Sequence, residues 1–181
     1  SATVNSVLTA AGEIWNVTVT ASDETEAGAV ASAEVYIGNT APTVAAASLS
    51  PSDATATSTL TCAAGFASDV DGDAVTFRYG WELNGFLSAF TGETLEAPGR
   101  GTTVACLVTP IDGVDEGEAV RSNEVTIQNS APTVASATLG PDTATVGSLL
   151  TCAPGSTSDD DGDAVSLSYA WEENGVRTGV T

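Results

Sequence analysis

The sequence repeats itself at an offset of 90 residues, and this repetition constrains the fold more than any other feature. Residues 41–91 and 131–181 align without gaps and are identical at 29 of 51 positions. A shorter copy opens the chain, because residues 15–44 parallel residues 104–134 with one residue of slip. A unit of this size that recurs along one chain indicates a tandem array, in which each repeat is one small domain.

These correspondences divide the chain into three parts. We expect residues 1–40 to be the C-terminal part of one repeat, residues 41–130 a complete repeat, and residues 131–181 the N-terminal part of a further repeat. Two interpretations of the partial repeats are open. Either the sequence is an excerpt from a longer array, or each chain is completed by its neighbour in a fibre of strand-complemented subunits.

The composition is acidic and contains no histidine. Lys and Arg number 4 against 24 Asp and Glu, which gives a formal net charge of −20 at pH 7. Nucleic acids and anionic membranes bind basic surfaces, so we expect neither as a partner. Without His, no Ser-His-Asp or Cys-His arrangement can form, so we expect no enzyme. The sequence has no apolar run of transmembrane length, so we also expect no membrane insertion.

Short apolar segments separated by turn signals predict an all-β fold. Apolar residues alternate with other residues over 75–82, which is the period of a strand. This parity predicts that Tyr79 and Trp81, and their copies Tyr169 and Trp171, are core residues. An Asn-Gly pair directly after this strand predicts a two-residue hairpin turn, because both residues tolerate positive φ.

Three residues give the pattern a family resemblance. Cys62, Trp81 and Cys106 follow the order of the strand B cysteine, strand C tryptophan and strand F cysteine of immunoglobulin-like sandwiches. Val104 stands where antibody domains carry a tyrosine. The run SDVDGDAVTFRYGWELNG and the junctions NTAPTV and NSAPTV more closely resemble the Ig-like and PKD-like tandem repeats of large bacterial extracellular surface proteins, with acidic loops like those of cadherin arrays. The resemblance implies tandem Ig-like β-sandwiches with Greek-key connections, about 90 residues per repeat.

The resemblance also implies a disulfide between Cys62 and Cys106, with two buried free thiols as the alternative. Such a bond would close a loop of about 45 residues, and by chain entropy it would contribute roughly 3–4 kcal/mol to stability. A disulfide would also imply an oxidising compartment. Cys152 repeats Cys62, but the residue of the first part that matches Cys106 is Val17. Residues 1–40 of a neighbouring chain therefore cannot supply a disulfide to Cys152, which favours the excerpt.

Two acidic loops present aspartates at alternate positions. They contain Asp69, Asp71 and Asp73 in the complete repeat, and Asp159, Asp161 and Asp163 in the third part. Calcium binds hard oxygen ligands, and alternating Asp in a turn can present several from one side. The residues do not fit an EF-hand. The alternative is a solvated acidic turn.

A second group of acids adds to the calcium prediction. In an Ig-like sandwich the B–C and F–G loops lie at the same end, so the resemblance places Asp112, Asp115 and Glu116 beside the first aspartate loop. Carboxylates gathered in this way repel one another without a counter-ion. This end meets the preceding repeat, so we expect calcium at the repeat junctions, bound with the weak affinity of extracellular modules, about 10⁻⁴–10⁻³ M.

These observations predict a structural protein, a fibre- or stalk-forming tandem repeat located outside the cell or at the cell surface. Its partners would be copies of itself or adjacent repeats. Repetition, junctions without Gly/Ser-rich linkers and the lack of catalytic groups favour this function. The alternative is an adhesin or carbohydrate-binding module of a larger secreted protein that contacts surface glycans, for which a row of exposed aromatic residues would be the mark. A third hypothesis is an accessory segment of a secreted enzyme.

Overall fold

The structure, a computed structural model, describes residues 1–179 and is built from β-strands. The helical structure in this part of the chain is a single 3-10 turn at Ser6–Leu8. All pairs of strands are antiparallel. Among these residues no helix has the length and apolar character that crossing a bilayer requires. The all-β prediction is thus confirmed.

The first part of the chain forms a hairpin of two long strands, β1 (Ile14–Ser22) and β2 (Ala27–Tyr36). Trp15 pairs with Val35 and Val19 pairs with Ala31. Several of its valine side chains remain more than half exposed, namely Val17, Val19, Val30 and Val35. A two-stranded ribbon of this kind is at best marginally stable alone, and no second layer among residues 1–179 buries its apolar residues.

The complete repeat contains ten strands: β3 (Thr43–Val44), β4 (Ala47–Ser50), β5 (Thr59–Ala64), β6 (Ala67–Ser68), β7 (Thr76–Leu83), β8 (Phe86–Leu87), β9 (Thr94–Glu96), β10 (Thr103–Ile111), β11 (Val120–Arg121) and β12 (Val125–Thr126). One sheet has the order β11-β10-β7-β8, with β12 also paired to β10. A second sheet has the order β4-β5-β9, and β3 pairs with β6. The two sheets form a sandwich-like unit around a shared core.

A disulfide and a tryptophan lie at the centre of that core. The predicted bond between Cys62 on β5 and Cys106 on β10 is present, with a Cα–Cα distance of 6.1 Å. Trp81 on β7 is fully buried and donates its indole N–H to the carbonyl oxygen of Gly92 at 3.0 Å. Tyr79 is half-buried and packs against the core. The buried apolar residues around them include Leu49, Leu60, Val104, Val108, Val125 and Ile127.

The predicted hairpin turn is present between β7 and β8. Asn84 and Gly85 have φ values of 51° and 79°, so both adopt the left-handed conformation that this turn requires. Asn174 and Gly175 repeat it with φ values of 53° and 78°.

The third part repeats the first strands of the complete repeat: β13 (Thr133–Val134), β14 (Ala137–Gly140), β15 (Thr151–Pro154), β16 (Thr157–Ser158), β17 (Glu172–Glu173) and β18 (Val176–Arg177). β13 pairs with β16 and β14 pairs with β15, as β3 does with β6 and β4 with β5. Tyr169, expected in the core, is instead 42% exposed, and Trp171 is only partly buried. The reason is that no counterpart of β10 lies beside them in the described residues of this part.

Candidate functional site

The first acidic loop, between β6 and β7, is organised around one aspartate. Oδ1 of Asp69 accepts the backbone N–H of Asp71 at 2.8 Å and that of Asp73 at 3.2 Å. Gly72 between them has a φ of 87°, a conformation that glycine adopts without steric cost. Oδ2 of Asp69 is buried and has no hydrogen-bond partner. Local side-chain bonds thus fix the shape of this loop and leave one carboxylate oxygen unsatisfied.

Two acidic loops of the complete repeat hold the linker that precedes it, and we call this arrangement the first joint. The backbone N–H of Thr40 donates to Oδ2 of Asp71 at 2.6 Å. The side-chain amide of Asn39 donates to Oδ2 of Asp112 at 2.8 Å and to Oδ2 of Asp115 at 2.9 Å. Bonds to charged acceptors are stronger than neutral ones. Consecutive linker residues are therefore fixed by carboxylates that lie far apart in the sequence.

The contact with Asn39 lowers the pKa of Asp112. The amide of Asn39 makes the largest contribution and, with the backbone N–H groups of Asp115 and Val114, holds the pKa of Asp112 below its usual range. Each donor stabilises the charged carboxylate over the protonated form. Asp112 therefore favours the joint in its ionised state.

The second joint lies 90 residues further along and repeats the backbone contact. Ser130, which is the counterpart of Thr40, donates its N–H to Oδ2 of Asp161 at 2.5 Å. Oδ1 of Asp159 accepts the N–H groups of Asp161 and Asp163 at 3.0 and 3.1 Å, as Asp69 does in the first loop. Oδ1 of Asp161 is buried without a hydrogen-bond partner, and so is the hydroxyl of Ser130.

The two joints differ in the hydrogen-bond partners of their asparagines, Asn39 and Asn129. At the second joint, Arg100 in the turn before β10 donates to Oδ1 of Asn129, and also to Asp163 at 2.5 and 3.2 Å. The amide nitrogen of Asn129 donates to the carbonyl oxygen of Ser130 at 2.6 Å. Arg100 belongs to one repeat and Asp163 to the next, so this ion pair spans the joint. Both side chains are 45% exposed, and an exposed pair contributes little alone.

The predicted calcium ligands have different partners in the structure. Glu116 pairs with Arg78 through both carboxylate oxygens, and Asp73 is exposed. Within residues 1–179, no group of three or more acidic or cysteine side chains is arranged to hold a metal ion. The calcium hypothesis stays a prediction. Sequence reasoning placed acids at the junctions but missed the residues that bond at these joints. Asn39, Thr40, Ser130 and Arg100 donate to the acids, and Asn129 accepts from Arg100 and donates to the carbonyl oxygen of Ser130. The signal for four of these was the repeated Asn-Thr/Ser pair before each Ala-Pro.

None of the family models, curated proteins and solved structures compared with this chain matches it. Its function is therefore inferred from its own geometry, and the joints are the feature that this geometry repeats.

Proposed function

We propose that the protein is structural and forms part of an extended stalk or fibre of tandem Ig-like sandwiches with Greek-key connections, outside the cell or at the cell surface. The observation that carries the proposal is the repeated joint. Thr40 and Ser130 donate their N–H groups to Asp71 and Asp161, which occupy the same position in successive acidic loops. A flexible spacer has no such contacts, so each joint restricts how neighbouring repeats move.

The disulfide supports the extracellular or cell-surface location that we propose. Cys62 and Cys106 are bonded across the two sheets, and such bonds persist in oxidising environments. A net charge of −20 keeps such a chain soluble and unattractive to anionic surfaces.

Small-angle X-ray scattering of matched variants tests the structural proposal. We expect the double variant Asp71→Ala, Asp161→Ala to have a shorter maximum dimension and a more flexible scattering profile than the native chain, because both joints lose an acceptor. Asp53→Ala, which removes an exposed carboxylate outside the joints, is the control and should behave as the native chain. Identical profiles for all three proteins would contradict the proposal.

We also propose that the joints bind calcium. The buried, unpartnered oxygens of Asp69 and Asp161 support this, because a buried carboxylate oxygen is costly without a donor or a cation. Hard oxygens on a loop are the ligands that calcium prefers. Bound calcium would add positive charge where the acidic loops meet the linkers.

Calorimetric titration with calcium chloride tests the second proposal. We expect weak binding, with a Kd of about 10⁻⁴–10⁻³ M, and a rise in thermal stability that EDTA reverses. Asp69→Asn should weaken binding at the first joint, whereas Asp53→Asn should not. If millimolar calcium produced neither binding heat nor a rise in thermal stability, the calcium proposal would be wrong. The carboxylates would then act as hydrogen-bond acceptors only.

A ligand-binding role is the second candidate, and exposed aromatic residues favour it. Phe66, Phe86 and Phe90 of the complete repeat are 79%, 78% and 53% exposed. Exposed apolar rings can contact glycans or a protein partner. Binding to an array of surface glycans that is lost in Phe86→Ala and Phe90→Ala variants would support an adhesin, whereas no binding would favour the stalk.

A further inference from the structure

One of the four basic residues of this acidic chain lies at the second joint. Arg100, in the turn before β10, donates to both carboxylate oxygens of Asp163, at 2.5 and 3.2 Å. The planar guanidinium matches a carboxylate in this two-point arrangement, which defines the direction of the contact as well as its charge. Arg100 belongs to the complete repeat and Asp163 to the third part, so the ion pair joins two successive parts of the chain.

The same arginine closes a ring of polar contacts around the linker. Arg100 also donates to Oδ1 of Asn129, whose amide nitrogen donates to the carbonyl oxygen of Ser130 at 2.6 Å. The N–H of Ser130 donates in turn to Asp161 at 2.5 Å. Asp161 and Asp163 lie in one loop, so the ring begins and ends there. An exposed ion pair contributes little by itself, but one with two-point geometry inside a network contributes more.

The turn before β10 has a counterpart before β1. Gly101 has a φ of 80° and donates its N–H to the carbonyl oxygen of Ile127 at 2.9 Å. Gly12 has a φ of 81° and donates its N–H to the carbonyl oxygen of Ile37 at 2.8 Å. Both isoleucines stand two residues before the asparagine of a joint. Each turn thus places the residue before its glycine in the same position relative to a joint.

The acidic partner is present at both joints, whereas the basic partner is present at one. The residue in the turn is Arg100 before the second joint and Ala11 before the first. Asp73 is the counterpart of Asp163, and their backbone N–H groups donate to their loop aspartates at 3.2 and 3.1 Å. The side chain of Asp73 is exposed. A methyl group carries no charge and donates no hydrogen bond, so Ala11 cannot form this ion pair with Asp73.

We infer that Arg100 is a positioning residue that holds the second joint closed through an ion pair between repeats. We infer also that the residue at this position of the repeat decides whether a joint has such an ion pair. The inference rests on the proposed structural function, because it specifies how the sequence sets the stiffness of a single joint. The contact is electrostatic, so it should weaken in salt, whereas packing of the apolar stem of the arginine should not.

Amide hydrogen exchange, followed by NMR in EDTA, tests the role of Arg100. The N–H groups of Ser130 and Thr40 report on the second and the first joint, because each is bonded to an aspartate when its joint is closed. We expect Arg100→Ala to speed the exchange of Ser130 roughly twofold to fivefold, the size expected for an exposed ion pair, and to leave Thr40 unchanged. Arg121→Ala, which removes a guanidinium paired within the complete repeat, is the control and should change neither rate.

Salt separates the charge of Arg100 from its packing. The Debye length falls from about 10 Å at 0.1 M salt to about 3 Å at 1 M. The difference in Ser130 exchange between the native chain and Arg100→Ala should therefore shrink in sodium chloride at about 1 M. A difference that salt leaves unchanged would overturn the inference, because packing alone would then account for it.

The converse substitution tests whether the position decides. Ala11→Arg places a guanidinium where Arg100 stands at the other joint. We expect the exchange of Thr40 to slow by a similar factor and that of Ser130 to stay as it is. In chains that carry Asp73→Asn, the same substitution should have no effect, because the charge with which residue 11 pairs is gone. Unchanged exchange of Thr40 in Ala11→Arg would overturn the claim that this position decides.

Asp161→Ala separates the inference from the proposed function. This variant removes the acceptor of the Ser130 N–H, so a closed joint predicts faster exchange of Ser130 whatever Arg100 does. Faster exchange in Asp161→Ala but not in Arg100→Ala would overturn the role of the arginine and leave the proposed joint intact. Native exchange rates in both variants would overturn the two together.

Discussion

Residues of identical type and repeat position have different environments in this molecule. Trp81 is fully buried between the sheets, whereas its copy Trp171 is only partly buried. Tyr79 packs against the core and its copy Tyr169 is 42% exposed. The neighbouring strand, not the residue, decides how much surface is removed from water. The contribution of each side chain to stability should differ accordingly.

Truncation of the two tryptophans tests this difference. Trp81→Ala removes a fully buried side chain and leaves a cavity in the core. We therefore expect a loss of about 3–5 kcal/mol in the free energy of unfolding of the complete repeat. Trp171→Ala should cost much less, because its side chain is already partly solvated. Urea unfolding followed by far-UV circular dichroism measures both. Equal losses would contradict the argument.

At the level of strands, the sequence carried most of the information about β7 and the turn after it. Alternation identified buried Trp81, and Asn84-Gly85 identified the hairpin, because these signals are local. The exposure of Tyr169 was not predictable from its own segment, because it depends on whether a strand from a distant part of the sequence pairs beside it. The donors at the joints were missed for a similar reason, since hydrogen bonds between distant loops leave no periodic pattern.

The disulfide connects the two sheets of the complete repeat, and its removal tests how much the sandwich depends on that link. Cys62 and Cys106 are 44 residues apart in sequence. By chain entropy, replacing both with Ala should lower the free energy of unfolding by roughly 3–4 kcal/mol. The measurement is urea unfolding of the double variant. Cys152→Ala is the control, because that thiol is unpaired in the chain, and it should change stability little.

For the whole molecule, the joints use part of an acidic surface as hydrogen-bond acceptors. Carboxylates that would repel one another instead accept the amide of Asn39 and the N–H groups of Thr40 and Ser130. The same arrangement makes the geometry of the joints dependent on the ionisation of these carboxylates. Protonation of an acceptor turns it into a weaker partner for an N–H donor.

The first joint should loosen in acid. The pKa of Asp112 is lowered, chiefly by the amide of Asn39, so the closed joint binds the proton less readily than the open one. The contact is fully present above the ordinary Asp pKa of about 3.9, and is lost as pH falls through the lowered value. Side-chain amide resonances of Asn39, followed by NMR, should shift in that acidic range. Asp112→Asn should remove the transition. Loosening between about pH 6 and pH 8 would instead exclude Asp112 as the cause.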